Sequence, residues 1–176
     1  MIIMQSAFGQ KNLLQKIIKN HPKNEFILLE PLDETKDHQL ITFNDKKIFN
    51  NPLKYNVMDL IGQKKLINEY YQKKEKGFFS FVYFDLDEKW MEKFLTLINE
   101  LLIQSNNKTY KELQLLFVLK LQTKIANKYS LLSIWANKLK YDYWHKYIYM
   151  PIFNEFLQTV SKIRSYHEIN YQNIKN

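Results

Sequence analysis

The chain of 176 residues carries 26 lysines and arginines against 18 aspartates and glutamates, a net charge of +8, with 45% hydrophobic and 15% aromatic residues. That is enough apolar material for one compact domain or two small ones, and it excludes a disordered chain. No cysteine is present, which excludes structural disulfides, zinc-thiolate sites and thiol nucleophiles.

Arg164 is the only arginine and the lysines are scattered among acids. Base readout usually wants arginine forks, so the positive charge reads as solubility and no nucleic-acid partner is expected. The opening MIIMQSAFGQ has no basic region and too short an apolar run for a signal peptide, and no apolar run reaches the roughly 20 residues of a membrane span. The expectation is a soluble, cytoplasmic protein. Three glycines cannot build GxGxxG or Walker loops, and HExxH and EF-hand patterns are absent.

In chain order, residues 2–8 read as a short strand, and Leu13, Leu14, Ile17 and Ile18 form a helical face that Pro22 ends. His21 sits where a cation favours a helix C-terminus. Residues 25–29 (EFILL) and 39–43 read as strands about a polar loop at 31–37. Pro52 then opens a predicted helix carrying Leu53, Val57, Leu60 and Ile61, with Gly62 as its C-terminal stop. The charged stretch 63–76, with Leu66, Ile67, Tyr70 and Tyr71 at helical spacing, reads as a partly helical connector.

Residues 78–84 (FFSFVYF) are apolar on both parities, as in a central strand covered on both faces. Asp85 or Asp87 supplies a predicted N-cap, Asp85 and Glu88 standing at capping-box spacing, and Trp90, Phe94, Leu97, Ile98 and Leu101 share the next helical face. Strands follow at 113–121 and 129–136, and Asn137 caps a long aromatic helix that Pro151 kinks or splits. Phe153, Phe156 and Leu157 continue its apolar face, and 166–171 reads as a terminal strand.

Both halves thus read as strand, helix, strand, strand, helix, the ferredoxin-like order of an α+β fold. The predicted division is residues 1–62, a connector at 63–76, and residues 77–176. The two βαββα halves are expected to pack as an internal pseudo-dimer.

Two blocks carry a family resemblance. FGQKNLLQKIIKNHPKNEFILLE through KKIFNNPLKYNVMDLIG pairs an aromatic-Gly start with a helix, an Asn/His-Pro stop and a Pro52, Tyr55, Val57, Gly62 series; LLSIWANKLKYDYW places Trp135 nine residues before Trp144. These resemble the antibiotic-biosynthesis-monooxygenase superfamily, and within it the branch of TRAP-like proteins and bacterial haem-degrading monooxygenases. The resemblance implies a barrel-like sheet of two ferredoxin-like halves, resembling the dimeric α/β barrel of single-unit members, so that a monomeric pseudo-dimer and a homodimer are both open.

In haem-degrading members the resemblance implies a strand Asn, a helical Trp and a His ligand ten residues beyond it. Trp144 matches the Trp, but the Asn position falls on Val82 or Tyr83 and the His position on Asn154. Val cannot donate an amide hydrogen bond, and neither Val nor Asn ligates haem iron. His145 lies on the opposite side of the helix from Asn154 and reads as a rim histidine, a weak metal candidate; Tyr83, Tyr147 and Tyr149 are phenols of a kind that ligates iron, but among twelve tyrosines any one such placement carries little weight, and no metal site is expected. The carboxylates Asp85, Asp87 and Glu88 read as capping groups rather than acid/base machinery.

The expected ligand is a flat apolar molecule between sheet and helix, with Tyr83, Trp90, Phe94, Trp135, Trp144 and Asn154 as pocket residues. Three functions fit that reading: a non-catalytic regulatory or stress protein, a haem-binding oxygenase with altered ligation, and a cofactor-free oxygenase acting on a polycyclic aromatic. Haem is the one cofactor the resemblance brings into question, and loss of the Asn and His favours the non-catalytic reading.

Overall fold

The computed structural model describes residues 2–46, 48–62, 77–106, 113–123, 127–160 and 166–174. Its strands are β1 (Ile3–Gly9), β2 (Ile27–Pro31), β3 (His38–Thr42), β4 (Leu53–Ile61), β5 (Phe78–Leu86), β6 (Leu113–Leu121), β7 (Asn127–Trp135) and β8 (Tyr166–Ile174). Helix α1 (Lys11–Asn20) joins β1 to β2, and α2 (Met91–Ser105) joins β5 to β6 after a 3-10 turn at Glu88–Trp90. Between β7 and β8 run α3 (Lys138–Trp144), a π turn (His145–Tyr149) and α4 (Met150–Val160). The connector predicted at 63–76 lies outside the described residues.

The strands close into an antiparallel barrel in the order β1-β3-β2-β8-β5-β7-β6-β4. Advancing every label by four strands returns the same ring, so the two halves are related by an internal pseudo-twofold, as the ferredoxin-like pattern predicts. The seams are made by exchange. The fourth strand of each half pairs with its own first strand and with the other half's second: β4 lies between β1 and β6, and β8 between β5 and β2.

Alternation on the strands divides the core in three. Met4, Ile41, Tyr55, Phe79, Phe81, Phe117, Leu132 and Tyr171 point into the barrel. Phe78, Val82, Phe84, Leu116, Leu131 and Trp135 point outward beneath α2, α3 and α4. On the other half's outer surface Leu14 of α1 packs with Phe26, Leu28, Leu40 and Phe49. Strand β5 is central as expected, paired along its length with β7 and β8. Phe94, Ile98 and Leu101 of α2 are buried on it, each worth about 1.5–3 kcal/mol of burial.

The helix predicted from Pro52 to Gly62 is instead β4. A bulge between Val57 and Asp59 shifts its register. Leu53, Tyr55 and Val57 face inward before the bulge and Leu60 after it, so the inward set has gaps of two, two and three. Leu53, Val57 and Leu60 therefore copy a helical spacing although the strand period of two rules each side of the bulge. The first half accordingly runs β-α-β-β-β, with the short segment after β3 where the second half has its helices.

The other local readings divide. Asn137 caps α3, its Oδ1 accepting from the Lys140 amide at 3.2 Å. Asp85 belongs to β5, and Asp87 precedes the 3-10 turn in an extended conformation with no side-chain capping bond. The aromatic helix is split, as Pro151 suggests: Pro151 has no N–H to complete the ladder, and the π turn ends at Tyr149 just before it.

Candidate functional site

One end of the barrel holds a cavity of about 330 Å³. The C-terminal ends of β1, β5 and β6 and the N-terminal ends of β4, β7 and β8 meet there, contributing Phe8, Leu53, Tyr55, Tyr83, Leu121, Tyr129, His167 and Ile169. Phe8 and Leu53 are partly exposed at its mouth. The His167 ring stacks on Tyr83, with centroids 4.7 Å apart and planes 20° from parallel. Burial lowers the His167 pKa, with Lys36 adding to the effect, so this wall is uncharged at neutral pH. Lys128 lies 3.5 Å from Asp85 at the rim, and the pair offsets its own charge.

Polar side chains stand opposite two of the cavity residues on neighbouring strands. Gln39 is paired with Phe8 across β1 and β3, and Ser130 with Tyr83 across β5 and β7. Gln39 Nε2 donates to Ser6 Oγ at 2.8 Å. Gln39 Oε1, Ser130 Oγ and Tyr171 Oη are buried with no hydrogen-bond partner among the described residues, and the buried Tyr83 Oη has the Gln39 side chain as its hydrogen-bonding neighbour. Burial pushes the Tyr55 hydroxyl up to about 12. It also raises the Tyr83 hydroxyl well above its ordinary value, the nearby Tyr55 and Tyr171 hydroxyls adding to the shift while a side-chain hydrogen bond with Gln39 pulls the other way. These phenols are therefore protonated donors throughout the physiological range.

The layer between the helices and the outer face of the sheet has a different character. Trp135, Trp144, Tyr149, Phe153 and Phe94 are almost fully buried there. Trp135 and Trp144 ring centroids are 5.3 Å apart, Trp144 and Tyr149 are stacked at 5.6 Å, and Tyr149 and Phe153 at 4.8 Å. Trp144 Nε1 donates to Ser105 Oγ at 3.0 Å. Trp90 packs edge-on against Phe156. Of the six residues expected to line a pocket, Tyr83 lines the barrel-end cavity, while Trp90, Phe94, Trp135 and Trp144 pack in this layer. Asn154 is exposed on α4, accepting from Gln158 at 3.4 Å.

His145 faces β8 rather than a cavity. Its Nε2 lies 3.4 Å from Glu168 Oε2, and its ring stacks on Tyr149. Tyr141 Oη and Asn170 Nδ2 donate to Glu168 Oε1. Burial opposes ionisation of Glu168, but the bonds from His145, Tyr141 and Asn170 outweigh it and hold the carboxyl below its ordinary pKa. These residues do not fit haem: the aromatic layer is filled, His145 is engaged by Glu168, and Asn154 points to solvent. Among the described residues no group of three or more His, Asp or Glu side chains is gathered that could hold a metal ion, and no helix is long and apolar enough to cross a membrane.

Tyr55, Gln39 and Ser130 had no sequence signal as site residues. Tyr55 lies in the strand misread as a helix, and the polar residues are brought together only by barrel closure. The alternation of His167 and Glu168 along β8 was the one local clue: successive strand residues must face opposite sides, here the cavity and the helices.

No protein-family model matches the sequence, and no curated protein matches it. Solved structures do. An uncharacterised ferredoxin-fold protein of Listeria monocytogenes, related to antibiotic biosynthesis monooxygenases, superposes with a TM-score of 0.77 at 17% identity, over 100% of this chain and 96% of that one. A major regulator of staphylococcal pathogenesis gives 0.70 at 17% identity, over 98% and 99%. A heme-degrading enzyme of Listeria monocytogenes gives 0.68 at 17% identity, over 96% and 97%. With its strand order, internal pseudo-twofold and helix-covered outer faces, the chain has the fold of the ferredoxin-fold proteins related to antibiotic biosynthesis monooxygenases.

Proposed function

We propose that this protein binds a small, flat, apolar molecule in the barrel-end cavity and does not degrade haem. One contrast supports the reading: the helix-covered layer, where the family resemblance puts the ligand, is filled by Trp135, Trp144, Tyr149 and Phe153, whereas the barrel end holds a cavity of about 330 Å³. That volume is near the lower end of small-molecule sites, which run to roughly 300–1,000 Å³ and are mostly apolar with few polar groups. The same fold occurs in a regulator and in a heme-degrading enzyme, so the scaffold itself does not dictate catalysis.

The test is a thermal-shift and calorimetric screen of the purified chain with neutral planar aromatics, beside Leu53→Trp, which narrows the cavity mouth without touching the core. Saturable binding in the wild type that is lost in Leu53→Trp is expected. Absence of saturable binding, or binding that ignores Leu53→Trp, contradicts the proposal.

A further inference from the structure

The helix-covered layer holds an arrangement that binding at the barrel end does not use. Four buried rings that can lose an electron, Trp135, Trp144, Tyr141 and Tyr149, form one contiguous cluster there. Trp135 lies 5.3 Å from Trp144 and 6.1 Å from Tyr141, and Trp144 lies 5.6 Å from Tyr149, centroid to centroid. An electron vacancy passes readily between aromatic rings in contact. Where it comes to rest depends on which ring can shed the positive charge that oxidation leaves behind. A buried unpaired charge is costly, and an oxidised indole or phenol avoids it only by giving its proton to a base.

Only one ring of the four has such a base. Trp144 Nε1 donates to the Ser105 hydroxyl, and Trp135 Nε1 has no hydrogen-bond partner among the described residues. The Tyr149 hydroxyl has another phenol, Tyr166, as its hydrogen-bonding neighbour. Tyr141 Oη donates to a carboxylate, Glu168 Oε1. Glu168 also accepts from Asn170 Nδ2 at 3.1 Å and faces His145 Nε2 at 3.4 Å. The Tyr141 ring is buried, whereas the side chains of Glu168 and His145 are 20% and 27% exposed, so the proton acceptor reaches the surface and the phenol does not.

We propose that Tyr141 and Glu168 form a redox site, in which a one-electron oxidant takes an electron from the Tyr141 ring while its hydroxyl proton passes to Glu168. The O–H bond of Tyr141 breaks and an O–H bond forms on Glu168, leaving a neutral tyrosyl radical beside a neutral carboxylic acid. The electron leaves to an outer-sphere oxidant, a high-valent metal complex or an oxygen-derived radical, and Trp135 and Trp144 pass the vacancy between them on its way to Tyr141. The carboxylate loses its charge and no cation is created, so burial assists the step. An electron from a reductant, with return of the proton from Glu168, restores the pair.

Flash oxidation of the full chain with tris(bipyridine)ruthenium(III), read by electron paramagnetic resonance, tests the site. A buried radical is protected from the radical pairing that removes exposed ones, such as those formed on the exposed Tyr143 and Tyr147, so the persistent signal reports the buried ring. The wild type should give a persistent neutral tyrosyl signal whose formation slows in D2O, because proton transfer accompanies electron loss. Tyr141→Phe keeps the ring, removes the oxidisable hydroxyl and should abolish that signal. Glu168→Gln still accepts a hydrogen bond but is no base, and should abolish it too; a purely structural pair would lose stability in both variants and keep the signal. A wild type without a persistent signal, or with one that forms equally fast in D2O, overturns the proposal. So does an undiminished signal in either variant. Should Tyr141→Phe fail to fold, Glu168→Gln and the D2O comparison decide.

Discussion

The indole Nε1–H of Trp144 donates to the hydroxyl of Ser105 across the interface between α3 and the end of α2, at 3.0 Å and out of contact with water. Trp144 thus has a complete structural role, with its ring against Trp135 and Tyr149 and its one polar atom satisfied. Ser105→Ala should leave that N–H buried and unpaired and cost about 1–3 kcal/mol in urea unfolding. An unchanged midpoint would mean that the indole finds another partner.

Gly62 makes a prediction of its own. It has φ +104 at the end of β4, and a Cβ there would stand 2.4 Å from the backbone oxygen of Gln114. Gly62→Ala therefore meets both a strained backbone and a clash that no rotamer relieves, and should destabilise by more than about 1 kcal/mol in chemical denaturation. A neutral result would show that the strand end yields to the added methyl.

Glu168 should shape the acid limb of stability. Its carboxyl pKa is held below the ordinary value of 4.5 by bonds from His145, Tyr141 and Asn170 against the opposing effect of burial. A depressed folded-state pKa gives stability that is complete above the unfolded-state value and is lost as pH falls through the folded one. Glu168→Gln should cost about 1–2 kcal/mol at neutral pH and flatten the loss below pH about 4.5, since the amide cannot ionise. A mutant whose stability falls with acid as steeply as the wild type would place the acid-sensitive group elsewhere.

How much of this was legible beforehand depends on where the determining contacts lie. The strand at Phe78–Leu86 and the stripe of Phe94, Ile98 and Leu101 were readable because their patterns are local and strong. Strand β4 was not, because the bulge after Val57 turns a period of two into the spacing of a helix. The site was least legible. Trp135 and Trp144 looked like pocket residues because an aromatic stripe says that a side chain is buried, not whether protein or ligand buries it. Tyr55, Tyr83 and Gln39 come from three strands far apart in sequence, and only closure of the barrel brings them to one layer.

Haem titration of the wild-type chain, followed by absorbance with and without reductant and oxygen, tests the central claim that the helix-covered face is packed core rather than a ligand pocket. Weak, non-saturating spectral changes without a defined axial-ligand band are predicted, with no degradation. The same is expected of Asn154→His, since residue 154 points to solvent and a histidine there would not face the sheet. Tight one-to-one binding with a defined axial-ligand spectrum in the wild type would contradict the account, because the Trp144 layer would then have to open to admit the porphyrin.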